Sequence, residues 1–542
     1  MGDSQDDLVS AELRSIESEI DGYYKRNHLV ELPFATAAWH LMVAWEDAMD
    51  PAHVGRVVIS PWSSSSARTD QLVFSMQYPF RWLWESCEPG GRIPQVCDRR
   101  AYEAGHQLLR LGDAYTAFAA AFTHASRGTV ELELQGSRIS ATRPAGYDTR
   151  YEAYDLRERT PEPAERVRLD LLIEEVAKSF RERGDAFTYD LSPGSVRLAA
   201  EIIAPLVSRK FTLPDDWEFE GYSVSDFREA WTRLEAIAYL HNAARLIAVS
   251  RGIGGKMHAG SVIAATREEL VKRVGRYSGV DETALGCLLE DLTYGGRAIR
   301  QPDPAIQPLI KLNNEQYGIM PWLLMASSSE RNLTVLLNRL PAQRKRYLKL
   351  ASSKEEFMRE RIKESLQSLG IRFFQGNIPG EDGLPDIDLA VIGDSERVCL
   401  ILELKWFINP AEVRELDEKA EEVRKGISQL VLLRRAIAQH DTSARRVLGI
   451  DSTYKVSFAV VSANSIGHHT VQHSEVPVVR ESHLTSKLRS TKRLSDVSTW
   501  LSMRSFLPTE GADYRVVERT ATIGQWSLDW YGIERLFDRE PA

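Results

Sequence analysis

The stretch that most constrains this chain is VCLILELKW, residues 398–406. Side chains alternate across a strand, so Val398, Leu400, Leu402, Leu404 and Trp406 share one face, and Cys399, Ile401, Glu403 and Lys405 share the other. A strand that is apolar on both faces must be covered on both, which is the situation of a central strand in an α/β sheet. Stray charge is costly there, yet this strand ends in Glu403 and Lys405. Just upstream, PDIDLAVI (385–392) reads as a second strand, tightly connected through Gly393-Asp394-Ser395-Glu396. The two strands are then adjacent and antiparallel, and Asp386 and Asp388, which share a face, come close to Glu403.

Two carboxylates converging at a sheet edge repel and raise each other's pKa. A divalent cation removes that cost. Hard oxygen ligands suit magnesium, which keeps several waters and takes few protein carboxylates. A lysine two residues beyond the glutamate can orient a water or balance charge on a phosphate. Carboxylate, carboxylate and lysine form a set suited to phosphodiester hydrolysis.

The flanking elements give this set a context. Lys354 to Leu369 reads as an amphipathic helix with Met358, Ile362, Leu366 and Leu369 on one face, ended by Gly370. IRFFQGNI, PDIDLAVI and RVCLILELKW read as three strands. A long helix is expected over 410–439, with Pro410 in its first turn, and YKVSFAVVSAN as a fourth strand. The order is helix, three strands, helix, strand.

PDID…ELK within this order resembles the signature and core of the PD-(D/E)xK nuclease superfamily, over about residues 350–465. The resemblance implies a restriction-endonuclease-like α/β domain with a mixed central sheet. It implies Asp388 and Glu403 as ligands of Mg2+, with Mn2+ as a substitute, and Lys405 as the residue serving the attacking water. Asp386 fits the literal "PD" and stands either as a helper or as the metal ligand in place of Asp388. Glu355 and Glu356 are candidates for the glutamate that some members add from the first helix, although the best-aligned position holds Arg359. Gln429 matches a glutamine on the second helix of some branches, but Leu433 stands where a tyrosine would follow.

The rest of the 542-residue chain is long enough for several domains. A net charge of −9 excludes a histone-like binder but not a nucleic-acid enzyme, since phosphates respond to the local field. The acidic N-terminus lacks signal-peptide grammar and no apolar run is long enough for a bilayer, so a cytoplasmic protein without membrane association is expected. Cys87, Cys97, Cys287 and Cys399 form no CxxC pair and read as buried thiols. Residues 8–125 read as mainly helical. A hairpin is expected around Gln135-Gly136. The expected divisions are a helical domain with that hairpin at 1–150, a second helical domain at 151–338, a basic linker at 339–353, the nuclease-like domain at 354–505 and an extension at 506–542. Thr266 to Glu269 forms a capping box and Asp281 caps a second helix. Helix, turn, helix and hairpin over 266–325 match the outline of a winged helix, although two helices and a ribbon inside a larger helical domain give the same outline and are the commoner source of it.

Arg344, Lys345 and Arg346, and the run Lys487, Arg489, Lys492 and Arg493, are candidates for phosphate contact. GHHTVQHS (467–474) reads as a polar loop. The chain has no GxxxxGK[ST], so any NTPase is a separate partner. The expectation is a magnesium-dependent nuclease, acting on DNA in restriction, anti-phage defence or repair, and a homodimer if both strands of a duplex are cut. The alternative is an inactive nuclease fold serving as a nucleic-acid-binding or assembly module.

Overall fold

The computed structural model describes residues 3–49, 72–143, 146–156, 168–209, 211, 213–253, 257–366, 371–379, 383–407, 413–438, 443–464, 466, 468–491 and 493–536. The apolar periodicity of the C-terminal part folds as its alternation requires. Helix α1 (Lys354–Glu364) is followed by strands β1 (Arg372–Gly376), β2 (Ile387–Gly393) and β3 (Val398–Lys405). Helix α2 (Val413–Ala438) then leads by way of a short helix to β4 (Lys455–Ser462) and β5 (Val478–Arg480). These strands make one five-stranded sheet in the order β5-β4-β3-β2-β1. β3 pairs antiparallel with β2 and parallel with β4, so the sheet is mixed. Seven of the eight β3 residues are buried, as the two-faced apolar pattern demands. The Gly393-to-Glu396 connection closes with Gly393 opposite Val398, and Arg397 at φ 51° makes the turn.

Helix α2 covers the face of β3 that carries Glu403. Its Gly426 lies so close that a Cβ there would sit 3.0 Å from the Glu403 Cγ and 3.6 Å from a Val460 methyl. Helices α3 (Glu481–Ser490) and α4 (Leu494–Ser502) follow β5. Ser498 of α4 meets Ser457 of β4 at 2.6 Å on the opposite face, beside Leu400. The expected ends of the two main helices, residues 367–370 with Leu369 and Gly370 and residues 408–412 with Pro410, lie outside the described residues.

The remainder is mainly helical, with helices Phe34–Met49, Arg99–Ser126 and Val224–Ser250 among the longest. The hairpin expected at Gln135-Gly136 is present as Glu131–Gln135 and Arg138–Thr142. The C-terminal extension forms a second hairpin, Tyr514–Ile523 and Trp526–Arg535, which joins the first in a four-stranded sheet. Residues more than 370 positions apart in sequence therefore pair directly, as Arg138 does with Ser527. The cores also interleave across the expected divisions. Buried residues of 29–109 share a core with Val262, Ile310 and Leu323, while Tyr151 and Tyr154 pack into the core of the five-stranded sheet.

The 266–325 outline is present. Both expected caps form, with Thr266 and Glu269 bonded reciprocally and Asp281 accepting from Thr283 and Ala284. Strand Ile263–Thr266 precedes the two helices and pairs with Gln316–Ile319, which pairs with Ile310–Lys311. The second of those helices, Glu282–Asp291, carries three carboxylates and no Lys or Arg, so it offers no cation to a phosphate.

The basic linker expected over 339–353 is instead largely a helix, Pro341–Ala351. The reason is burial on one side: Gln343 is fully enclosed and donates to the Glu220 carbonyl and to Asp291, both at 3.0 Å. Proline at the first helical position starts the helix rather than breaking it.

Candidate active site

The site is built where the β2–β3 ladder ends. Leu402 and Leu389 are the last paired residues, and continuing that register sets Asp388 opposite Glu403. The Asp388 side chain then replaces the ladder. Its Oδ2 accepts the Leu404 backbone N–H at 2.8 Å. Lys405 Nζ reaches Glu403 Oε1 at 2.7 Å. Asp388, Glu403 and Lys405, the three residues read from the sequence, are thus brought together at the end of the central strand.

Glu355 joins them from α1. Burial raises its pKa, and Lys405 and the backbone N–H of Trp406 counteract that, while Asp388 adds to it. Glu356, the other candidate on α1, is exposed and does not reach the site. The helical period explains the difference, because adjacent residues lie about 100° apart around the axis. Asp386 is exposed, and the Asn377 carboxamide, turned with its nitrogen toward it, donates to both of its oxygens at 2.5 and 2.8 Å. Asp388 is the more enclosed of the two and is the one tied to the Glu403 strand. Gln429 is half-buried and lies one turn beyond Gly426 on α2.

The electrostatics follow from this crowding. Glu403 is 3% exposed. Burial first, and then the Asp388 charge, push its pKa up to about 7 against the pull of Lys405. Burial also raises Asp388, although the Leu404 N–H, Lys405 and Arg359 stabilise its charge. Burial works against the Lys405 charge, but Glu403, Glu355 and Asp388 outweigh it and hold its pKa above that of an ordinary lysine. The cluster therefore carries an excess of carboxylate that water does not relieve.

A divalent cation fits this donor chemistry in a limited form. Asp388 and Glu403 supply two hard oxygen donors, the kind and number that magnesium takes from a protein while water completes its shell. Among the described residues no three His, Cys, Asp or Glu side chains converge into a full metal cage.

Gly426 is a residue that sequence reasoning missed. Its place against Glu403 Cγ (3.0 Å) and Lys405 Cε (3.2 Å), measured from where a Cβ would be, is tight enough that a larger residue would press on both side chains. A glycine inside an otherwise strong helix was the available signal, since it costs about 1 kcal/mol relative to alanine unless packing requires it.

The basic candidates separate. Arg344 and Lys345 are exposed. Arg346 donates to the Phe219 carbonyl at 2.7 Å and ties its helix to the helical half. Lys487 is half-buried, Arg489 is exposed, and Arg493 lies 3.7 Å from Glu396. Lys492 lies outside the described residues. GHHTVQHS is not the polar loop expected. His468 is 1% exposed, its Nε2 is 3.1 Å from both the Tyr147 hydroxyl and His469 Nδ1, and its ring stacks near His124. Burial pulls His468 down to about 3 and His124 to about 4, so these rings are neutral packing elements. Their partners lie more than 300 residues away in sequence, which no local pattern reveals. The four cysteines are free, and three of them are buried.

No family model, curated protein or solved structure matches the chain. Among the described residues no helix is long and apolar enough to cross a membrane.

Proposed function

We propose that this chain is a divalent-metal-dependent nuclease of the PD-(D/E)xK type, hydrolysing phosphodiester bonds in DNA. The observation that carries the reading is the convergence of Asp388, Glu403 and Lys405 at the end of a strand buried on both faces. Helix, three strands, helix and strand around a mixed sheet support it further.

In this reading Asp388 and Glu403 hold Mg2+, or Mn2+ in its place. The cation supplies Lewis acidity toward a phosphoryl oxygen and the attacking water. Lys405, held by Glu403 at 2.7 Å, presents a cation to the substrate or to that water. Leu404 fixes the Asp388 carboxylate through its backbone N–H, so the ligand does not have to be ordered when metal arrives. Gly426 lets the covering helix lie close against the site. Cutting both strands of a duplex with one such site per chain calls for two copies, and any coupling to NTP hydrolysis calls for a separate protein.

The test is cleavage of DNA and RNA substrates with Mg2+ and with EDTA, comparing wild type with Glu403→Ala and Lys405→Ala. Metal-dependent cleavage that both substitutions abolish is expected. Cleavage surviving both overturns the assignment. Binding without metal-dependent turnover favours the alternative of a non-catalytic nucleic-acid-binding or assembly module.

A further inference from the structure

Helix α1 places Glu355 and Arg359 four residues apart, on one face. Both turn toward the end of β2. Arg359 Nε donates to the backbone carbonyl of Asp388 at 2.9 Å. That carbonyl lies just beyond the last β2–β3 pair, so α1 supplies the donor where the ladder has stopped. Asp388 is thereby fixed twice, through its main chain by Arg359 and through its side chain by Leu404.

Holding one carbonyl uses a single N–H of the five that a guanidinium offers. The charge of Arg359 is felt by both Asp388 and Glu355. Lys405, the other cation of the cluster, is already engaged by Glu403. With every group ionised, three carboxylates and two cations leave the cluster one negative charge in excess. A divalent cation turns this into one positive charge, which complements the single negative charge of a phosphodiester. A planar guanidinium can place two parallel N–H groups on phosphate oxygens, which an ammonium cannot.

We propose that Arg359 is a phosphate-binding residue, its Nε fixing the Asp388 main chain while its outer N–H groups take the non-bridging oxygens of the scissile phosphodiester. The inference rests on the reading of this site as one for phosphodiesters. It also gives a role to the position where the family pattern would have a carboxylate.

The experiment uses the full chain with Arg359→Gln, which keeps a donor for the carbonyl but loses the charge, and Arg359→Lys, which keeps the charge but loses the fork. Binding of a fluorescent duplex oligonucleotide is measured with Ca2+ in place of Mg2+ across a salt series, and cleavage is measured in Mg2+. Arg359→Gln is expected to lose roughly tenfold in affinity at low salt and to flatten the slope of log affinity against log salt by about 1. Arg359→Lys should restore the slope but leave kcat reduced roughly tenfold, which a purely structural role would not produce. If Arg359→Gln melts early, the Arg359→Lys variant decides, because it retains a cation on a shorter donor set.

An unchanged salt slope with unchanged kcat/KM in Arg359→Gln overturns the proposal while leaving the nuclease reading intact. A wild type that binds DNA but does not cleave it in Mg2+ overturns the nuclease reading, and the salt slope then judges Arg359 alone. A wild type that neither binds nor cleaves overturns both.

Discussion

Glu403→Gln should make the metal-free protein more stable at alkaline pH while destroying its response to magnesium. Glu403 is 3% exposed, and burial with the nearby Asp388 charge moves its pKa from 4.5 to about 7. A raised carboxyl pKa means that the folded state prefers the protonated form. Wild type therefore loses stability as pH rises from about 4.5 to 7, and the loss is complete above about 7. At 1.36 kcal/mol per tenfold, the penalty is about 3 kcal/mol. Glutamine removes the charge but weakens the contact with Lys405 at 2.7 Å, giving back about 1 kcal/mol. Lys405 keeps the favourable fields of Glu355 and Asp388. The net gain is about 2 kcal/mol, or roughly 4–8 °C in the transition of a unit of this size. The assay is thermal unfolding of the full chain in EDTA at pH 5 and pH 8.5, repeated with excess Mg2+. The variant should match wild type at pH 5 and exceed it at pH 8.5. Added Mg2+ should raise the wild-type midpoint only. A variant less stable than wild type at pH 8.5, or an advantage that does not change with pH, refutes the electrostatic reasoning.

Other substitutions probe the same neighbourhood. Gly426→Val forces methyl groups into the 3.0 Å approach to Glu403. It should cost about 1–3 kcal/mol by overpacking and weaken the Mg2+ response, both visible in the same melts. Arg361→Met removes a bidentate pair to Glu481 (2.7 and 2.6 Å) that joins α1 to α3 and leaves Glu481, 7% exposed, without that partner. A loss of roughly 2–4 kcal/mol in urea unfolding is expected, and it should shrink when Glu481→Gln is added. Lys354→Met should have the opposite pH signature to Glu403→Gln. Burial pulls Lys354 down from 10.5 to about 7, so its cost is full below about pH 7 and vanishes above about 10.5. The variant should gain more stability at pH 6 than at pH 10, and an equal gain at both would contradict the burial argument.

What was legible in the sequence was the part that local rules control. VCLILELKW carries its burial in its alternation, and the short connection to PDIDLAVI fixes an antiparallel neighbour. Which of Asp386 and Asp388 faces Glu403 depends on the register, and the pairing of Leu389 with Leu402 decides it. The caps at Thr266 and Asp281 were readable because a side chain satisfying its own helix end needs no distant partner. Residues 339–353 were misread because their composition is basic, whereas burial of Gln343 against Glu220 and Asp291 decides their structure. Glu355 and Glu356 were indistinguishable until α1 was oriented by its packing. His468, His469 and the C-terminal hairpin depend on partners hundreds of residues away, Tyr147 and the Arg138 strand among them, and periodicity carries no information about those.

The helical half is tied to the candidate site through the same few residues. Lys354 is 3% exposed, and its Nζ lies 3.4 Å from the centre of the Trp406 ring, 4.4 Å from Tyr347 and 5.5 Å from Trp217. It also donates to the Tyr347 hydroxyl at 2.6 Å. Tyr347 and Trp217 belong to the core of the helical half, whereas Trp406 directly follows Lys405. The face of an aromatic ring attracts an ammonium, and burial strengthens the attraction by removing competing water. In its charged form, which prevails below about pH 7, Lys354 thus bridges aromatic groups from both halves. Glu355 is the next residue after Lys354, and the Trp406 backbone N–H stabilises its charge. A displacement of the helical half that moves Tyr347 or Trp217 must therefore act on Lys354 and Trp406, and through them on Glu355 and Lys405. Close packing makes such a shift costly to absorb locally, so Lys354 and Trp406 are the contacts through which the helical half abuts the strand carrying Glu403 and Lys405.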